Sequence, residues 1–134
     1  MFQEIDYCDY AMSKDLADLG YNDRCHRYFD PLCKKLNKIN HSGWSNEEGK
    51  SMGVVVCPTL YEAQHWLMTQ GIYISPRIYL YHDEVLGDET SWECSIYYAW
   101  SAIKTIGKSL SYQDALKMGI KDAIETLKNK KINI

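Results

Sequence analysis

The sequence predicts an α+β fold, a two-layer sandwich in the order α-β-β-α-β-β-α. Its sheet is expected to be four-stranded and mainly antiparallel, with the helices on one face. Three observations lead there. Three apolar stripes recur at the helical period, and each has its own start or stop signal. Three short runs alternate with the two-residue period of strands, and a fourth is rich in β-branched residues. The strand runs come in pairs between the helices, which favours antiparallel pairing over parallel crossovers. At 134 residues the chain reads as a single domain, residues 1–134, long enough to bury a core.

The first helix is expected over 4–19. Ile5, Cys8, Met12, Leu16 and Leu19 form its stripe, and Gly20 follows where a left-handed residue ends helices. Tyr21-Asn22-Asp23 is a turn. Residues 24–29 alternate as a first strand, stopped by Asp30-Pro31. Residues 32–51 carry the weakest pattern and read as a long polar loop, with a short helical turn at its start. Trp44 stands out in it, either as a plug for the edge of the core or as a contact residue. Met52 to Cys57 is a β-branched second strand.

The second helix is expected over 59–70. Thr59 and Glu62 have capping-box spacing, Leu60, Ala63, Trp66 and Leu67 give the buried face, and Gly71 ends the helix. In the next strand Ile72, Ile74, Ile78 and Leu80 point one way, and Tyr73, Arg77, Tyr79 and Tyr81 the other. Ser75-Pro76 interrupts this strand and implies an edge position or a bulge. His82 to Ser91 reads as an acidic hairpin loop. Trp92, Cys94, Ile96 and Tyr98 then alternate with Glu93, Ser95 and Tyr97 in a fourth strand, which residues 99–103 extend. The last helix is expected over 111–129. Ser111 and Asp114 begin it, and Tyr112, Leu116, Gly119, Ile120, Ala123 and Leu127 form its stripe. A mid-helix glycine costs about 1 kcal/mol, so Gly119 implies close approach of a sheet or helix.

Composition narrows the function. Eleven Tyr and four Trp stand against two Phe. These residues carry a polar handle and suit half-buried or binding surfaces. The net charge of −3 argues against a general nucleic-acid binder. Residues 104–134 are basic, which reads as the solvated side of the last helix. The N-terminus is acidic and lacks the apolar core of a signal peptide, and no run approaches a membrane span. Five cysteines without a CxxC pair are expected as free thiols in a cytoplasmic protein.

The stretch Pro58-Thr59-Leu60-Tyr61-Glu62-Ala63-Gln64-His65-Trp66-Leu67, the following Gly71-Ile72-Tyr73-Ile74, and Tyr112-Gln113-Asp114-Ala115-Leu116 carry a resemblance. They are similar to small uncharacterised proteins of gut Bacteroidetes genomes and their phages and mobile elements. The likeness spans about residues 4–128, outside 32–51, and rests on helix caps and a Trp. It implies no activity, cofactor or catalytic residue.

Four sets of residues could carry chemistry. Cys25, His26, Cys33 and His41 offer metal-binding types, but their spacing is not that of zinc pairs. Cys57, just before a helix start, could be a thiol activated by the helix dipole, with His65 further along that helix, but a buried structural cysteine is the favoured reading. Asp83, Glu84, Asp88 and Glu89, with His82, could hold a hard cation but lack a calcium-loop pattern. The Tyr-rich sheet face is the strongest. Tyr73, Arg77, Tyr79, Tyr81 and Tyr97, with Trp44 from the polar loop, form the candidate binding surface. No catalytic constellation, metal set or cofactor motif is predicted. The leading expectation is a non-enzymatic interaction module that binds a protein partner, or a second copy of itself, through this face. The alternative is a nucleotide- or small-ligand-sequestering accessory protein of a phage or mobile element, with Tyr stacking and Arg77 on a phosphate. A thiol or metal enzyme ranks third.

Overall fold

The structure is a computed structural model that describes residues 4–39, 42–85, 87–98, 101–109 and 111–132. Among these residues it is mixed α and β, with four α-helices, one 3-10 turn and two antiparallel three-stranded sheets. By its internal contacts the chain divides into two compact units, residues 1–63 with 127–134, and residues 64–126.

The first unit begins with the 3-10 turn Glu4–Asp6 and helix α1, Tyr10–Leu19. The helix expected over 4–19 is therefore interrupted. Asp9 caps α1 by accepting the Met12 N–H at 2.9 Å, while Tyr7 bridges Thr59 and the Cys8 N–H donates to the Pro58 carbonyl at 3.0 Å. Residues 7–8 thus spend their backbone groups on another segment, and a helix cannot run through them. Gly20 ends α1 with φ 106°, and the Tyr21 N–H reaches back to the Leu16 carbonyl at 2.8 Å.

Strand β1, Arg27–Phe29, lies between β2, Leu36–Lys38, and β3, Val55–Val56. The expected pairing of the first two predicted strands is present, with Tyr28 opposite Val56. Strand β2 and helix α2, Asn46–Lys50, occupy the 32–51 stretch that reads as loop. Ser45 and Glu48 form a full capping box at the start of α2. Both α1 and α2 pack on β3. Buried in this unit are Met12, Leu16, Leu19, Tyr21, Phe29, Ile39 and Val56, together with Leu60 and Ala63 from the start of helix α3, Leu60–Thr69. The capping box of α3 is complete: the Thr59 N–H donates to Glu62 Oε1 at 2.9 Å, and the Glu62 N–H to Thr59 Oγ1 at 3.1 Å.

The second unit is built on β4, Ile72–Asp83, β5, Gly87–Tyr98, and β6, Ser101–Ser109, in the spatial order β4-β5-β6. Instead of one four-stranded sheet, each hairpin takes a third strand of its own. Strand β6 comes from the stretch read as an extension of β5. The signal for a turn there is weak, because no Gly, Pro, Asn or Asp stands between Ser95 and Gly107. Helix α4, Tyr112–Ile132, follows. The Ser111 hydroxyl accepts the Asp114 N–H at 3.1 Å, half of a capping box. Ala115, Leu116, Gly119, Ile120, Ala123 and Ile124 form its buried stripe.

At Gly119 α4 approaches the sheet closely. A Cβ at that position would stand 2.5 Å from Cys94 Sγ and 2.6 Å from Ile74 Cγ2. The expected close approach is thus present, and the residues it meets belong to β4 and β5. Gly119→Ala gains about 1 kcal/mol of helix propensity but overpacks the contact, which costs about 1–3 kcal/mol. A net loss of stability is expected in urea melts. Adding Cys94→Ala to it should recover part of that loss, because the nearest obstructing atom is removed.

Candidate functional site

The face singled out by alternation depends on the register of β4 and β5. The two strands pair without a shift from Ile72 opposite Tyr98 to Asp83 opposite Gly87. Ser75-Pro76 therefore makes no bulge in this ladder, and β4 is an edge strand, where a proline is tolerated. Tyr73 faces Tyr97, Ser75 faces Ser95, Arg77 faces Glu93, and Tyr79 faces Ser91 across the ladder. All sit on one side by the two-residue period, opposite the side that carries Ile74, Cys94 and Ile96. Tyr79 is 53% exposed and Tyr97 37%. Tyr73 is half-buried. Tyr81 holds the same side by register, opposite Glu89, and its side chain lies outside the described residues.

Arg77 is not a spare charge. Its Nε donates to Glu93 Oε1 at 2.7 Å, directly across the strands. Ser95 and Thr105 bring their hydroxyls within 3.3 Å of each other on β5 and β6. The face therefore offers tyrosine rings, hydroxyls and one neutralised ion pair.

Trp44 belongs to the other unit and has a local role there. It forms a bridge with Cys25, the two residues exchanging backbone bonds of 2.8 and 2.9 Å. Its ring lies 5.3 Å from that of Tyr28. The preceding Gly43 has φ 77°, and a Cβ there would meet the Cys25 carbonyl oxygen at 2.5 Å. This tight crossing is what seats Trp44.

The other candidate sets separate in space or in chemistry. Cys25 is buried, its thiol 3.6 Å from the Tyr21 hydroxyl, whereas His26 and Cys33 are exposed, and His41 lies outside the described residues. Among the described residues no group of three His, Cys, Asp or Glu side chains is placed to hold a metal ion. On the acidic hairpin the side chains of Asp83 and Asp88 lie outside the described residues. Cys57 is a core residue, the reading favoured over activation by the helix dipole, and burial pushes its thiol up to about 12. That thiol donates to the Cys8 carbonyl at 3.1 Å. Burial likewise raises Cys25 to about 12 and Cys94 to about 11. Desolvation of a thiolate outweighs a helix terminus when the sulfur has no access to water.

One feature of the hairpin was missed in the sequence. Ile78 and Leu80 were assigned to the core side with Ile72 and Ile74, yet they are 48% and 69% exposed. On that side the packing against α4 includes Trp92, whose ring meets Tyr112 edge-on at 5.5 Å. Among the described residues β6 pairs with β5 only as far as Trp92, and the hairpin beyond it is two-stranded. Strand length was the available signal. Twelve residues is about twice the usual strand, more than one helix can cover.

No family model, curated protein or solved structure matches this chain. Among the described residues no helix is long and apolar enough to cross a membrane.

Two outcomes follow for the thiols. In the native protein near neutral pH, a thiol reagent should titrate Cys33 rapidly and reach the other four of the five cysteines only on unfolding. Folded Cys25 and Cys57 have pKa values above those of the unfolded chain. Their contribution to stability is full below about pH 8.5 and is lost as pH rises through about 12. Denaturant midpoints should fall over that window, and Cys57→Ser should change the slope.

Proposed function

We propose that this protein is a non-enzymatic interaction module, and that the tyrosine face of the β4–β5 hairpin is its binding surface. The observation that carries this reading is the unbroken register, which aligns Tyr73, Arg77, Tyr79 and Tyr97 on one side, with Tyr79 and Tyr97 open to solvent. Tyr supplies a large contact area at low entropic cost and keeps a hydroxyl for a partner. Cys57, the candidate thiol nucleophile, is buried, and burial raises its thiol along with those of Cys25 and Cys94. A nucleotide ligand is second in rank. Stacking on Tyr would suit a base, but Glu93 already neutralises the Arg77 guanidinium that a phosphate would need. The partner class is a protein surface or another copy of the chain.

Tyr79→Ala combined with Tyr97→Ala tests this. Both side chains are exposed, so melting temperature should change little. Association should weaken by about 2 kcal/mol or more, as it does at central aromatic anchors. Thermal melts and sedimentation at two concentrations read the two effects separately. A large fall in melting temperature with association unchanged would falsify the reading, because it would make the face a second core.

A further inference from the structure

Strands β1 and β2 set two cations against each other. Arg27 stands opposite Lys38 in the antiparallel ladder, so both side chains leave the same side of the sheet, with Cβ atoms about 5 Å apart. Like charges in that position destabilise a strand pair. The usual remedy is a carboxylate, and the chain applies it to its other two arginines: Arg24 pairs with Glu48 at 3.1 Å and Arg77 with Glu93 at 2.7 Å. Among the described residues neither Arg27 nor Lys38 is in an ion pair. The carboxylates nearby are committed to backbone donors. Asp9 accepts the Met12 N–H, Asp30 the Leu32 N–H and Glu62 the Thr59 N–H, each at 2.9 Å. Asp6 and Glu62 act on the Tyr7 hydroxyl, but neither pairs with Arg27. Arg27 is seated on an aromatic ring instead. Its half-buried guanidinium lies 5.4 Å from the centre of the Tyr7 ring. Lys34 takes φ 53°, in the left-handed region, and its Nζ lies 5.3 Å from the centre of the Tyr10 ring. That ring meets Phe29 edge-on at 5.7 Å, and Phe29, two residues after Arg27, is on the same side of β1. Arg27, Lys34 and Lys38 thus gather on one side of the small sheet.

We infer that this side of the β1–β2 ladder is an anion site, and that its ligand is a small molecule bearing a phosphoryl dianion. A ring beneath a guanidinium fixes its plane and leaves its N–H edge open. Arg27 therefore supplies the planar fork that fits two phosphoryl oxygens. Lys38 adds a point charge from across the ladder, and Lys34 one from the turn between the strands. A dianion held between Arg27 and Lys38 replaces their repulsion by two attractions, which is the part that Glu48 plays for Arg24 and Glu93 for Arg77. A carboxylate ligand brings a single charge to three cations and leaves the site positive. A nucleic-acid strand needs cations along its length, whereas Asp6, Asp30 and Glu62 bound this group. The site belongs to the first unit and does not rest on the tyrosine face.

The test uses the full chain, titrated with inorganic phosphate and with pyrophosphate at constant ionic strength and followed by amide NMR. Saturable shifts should centre on residues 27, 34 and 38, with a dissociation constant of about 1 mM or tighter for pyrophosphate. Lys38→Glu is the decisive variant, because Lys38 is exposed and the change places opposite charges across the ladder. It should raise the melting temperature and weaken pyrophosphate binding at least about tenfold. A merely structural role for Lys38 would not move these two readouts in opposite directions. Arg27→Lys keeps the charge but removes the fork, and should weaken binding by about tenfold as well. Lys50→Gln, on the exposed surface of α2, should leave binding unchanged. Shifts that do not saturate, or that chloride reproduces at equal ionic strength, overturn the site. Binding that survives Lys38→Glu, or that falls equally in Lys50→Gln, overturns it as well.

Discussion

The register of β4 on β5 is the constraint on which the second unit depends. Twelve consecutive residue pairs run without a slip. Because side chains alternate, a slip of β4 by one residue would exchange Ile74 for Ser75 under α4 and turn Tyr73 and Tyr79 inward. The acidic turn after Asp83 closes the ladder at one end, where Gly87 takes φ 83°, a conformation that favours glycine. At the other end Ile72 and Ile96 are fully buried, and burial penalises any register that exposes them. The tyrosine face and the buried face are two consequences of one alignment.

Gly119 turns that alignment into a packed layer. With no side chain there, the α4 backbone comes down onto Cys94 and Ile74, so Leu116, Ile120 and Ala123 are buried along with them. One helix covers only part of a twelve-residue strand. The distal hairpin is left with apolar residues on a surface that ordinary domains keep small. Sheet geometry and helix width therefore produce the exposed Ile78 and Leu80 without any special sequence signal.

The first unit is held by a different kind of interaction. Its strands are two or three residues long, too short to be stable as an isolated sheet. Bridges between distant segments make up for this: Tyr7 with Thr59, Cys25 with Trp44, and the Asn46 side chain, which donates to the Tyr21 carbonyl and accepts the Val56 N–H. One amide thus ties a loop, a helix start and a strand together. Cys8, Cys25 and Cys57 are core residues here, and the burial that keeps them as thiols removes their reactivity.

By itself the sequence determined what local chemistry decides. The Gly20 stop, the Thr59–Glu62 box, the Ser111 cap, the buried face of α3, the function of Gly119 and the alternation that aligns Tyr73, Arg77, Tyr79 and Tyr97 were all legible. Each rests on residues within one or two turns or on the period of a strand. Tertiary structure decided what depends on distant partners. Tyr7 and Cys8 leave the first helix because Thr59 and Pro58 claim their backbone. Leu36–Lys38 becomes a strand because β1 offers an edge, and β6 separates from β5 with no turn residue to announce it. Trp44 turns out to pack on Tyr28 beside the Cys25 bridge. Ile78 and Leu80 follow the core pattern yet stay exposed, because alternation specifies a side of the sheet but not whether anything covers it.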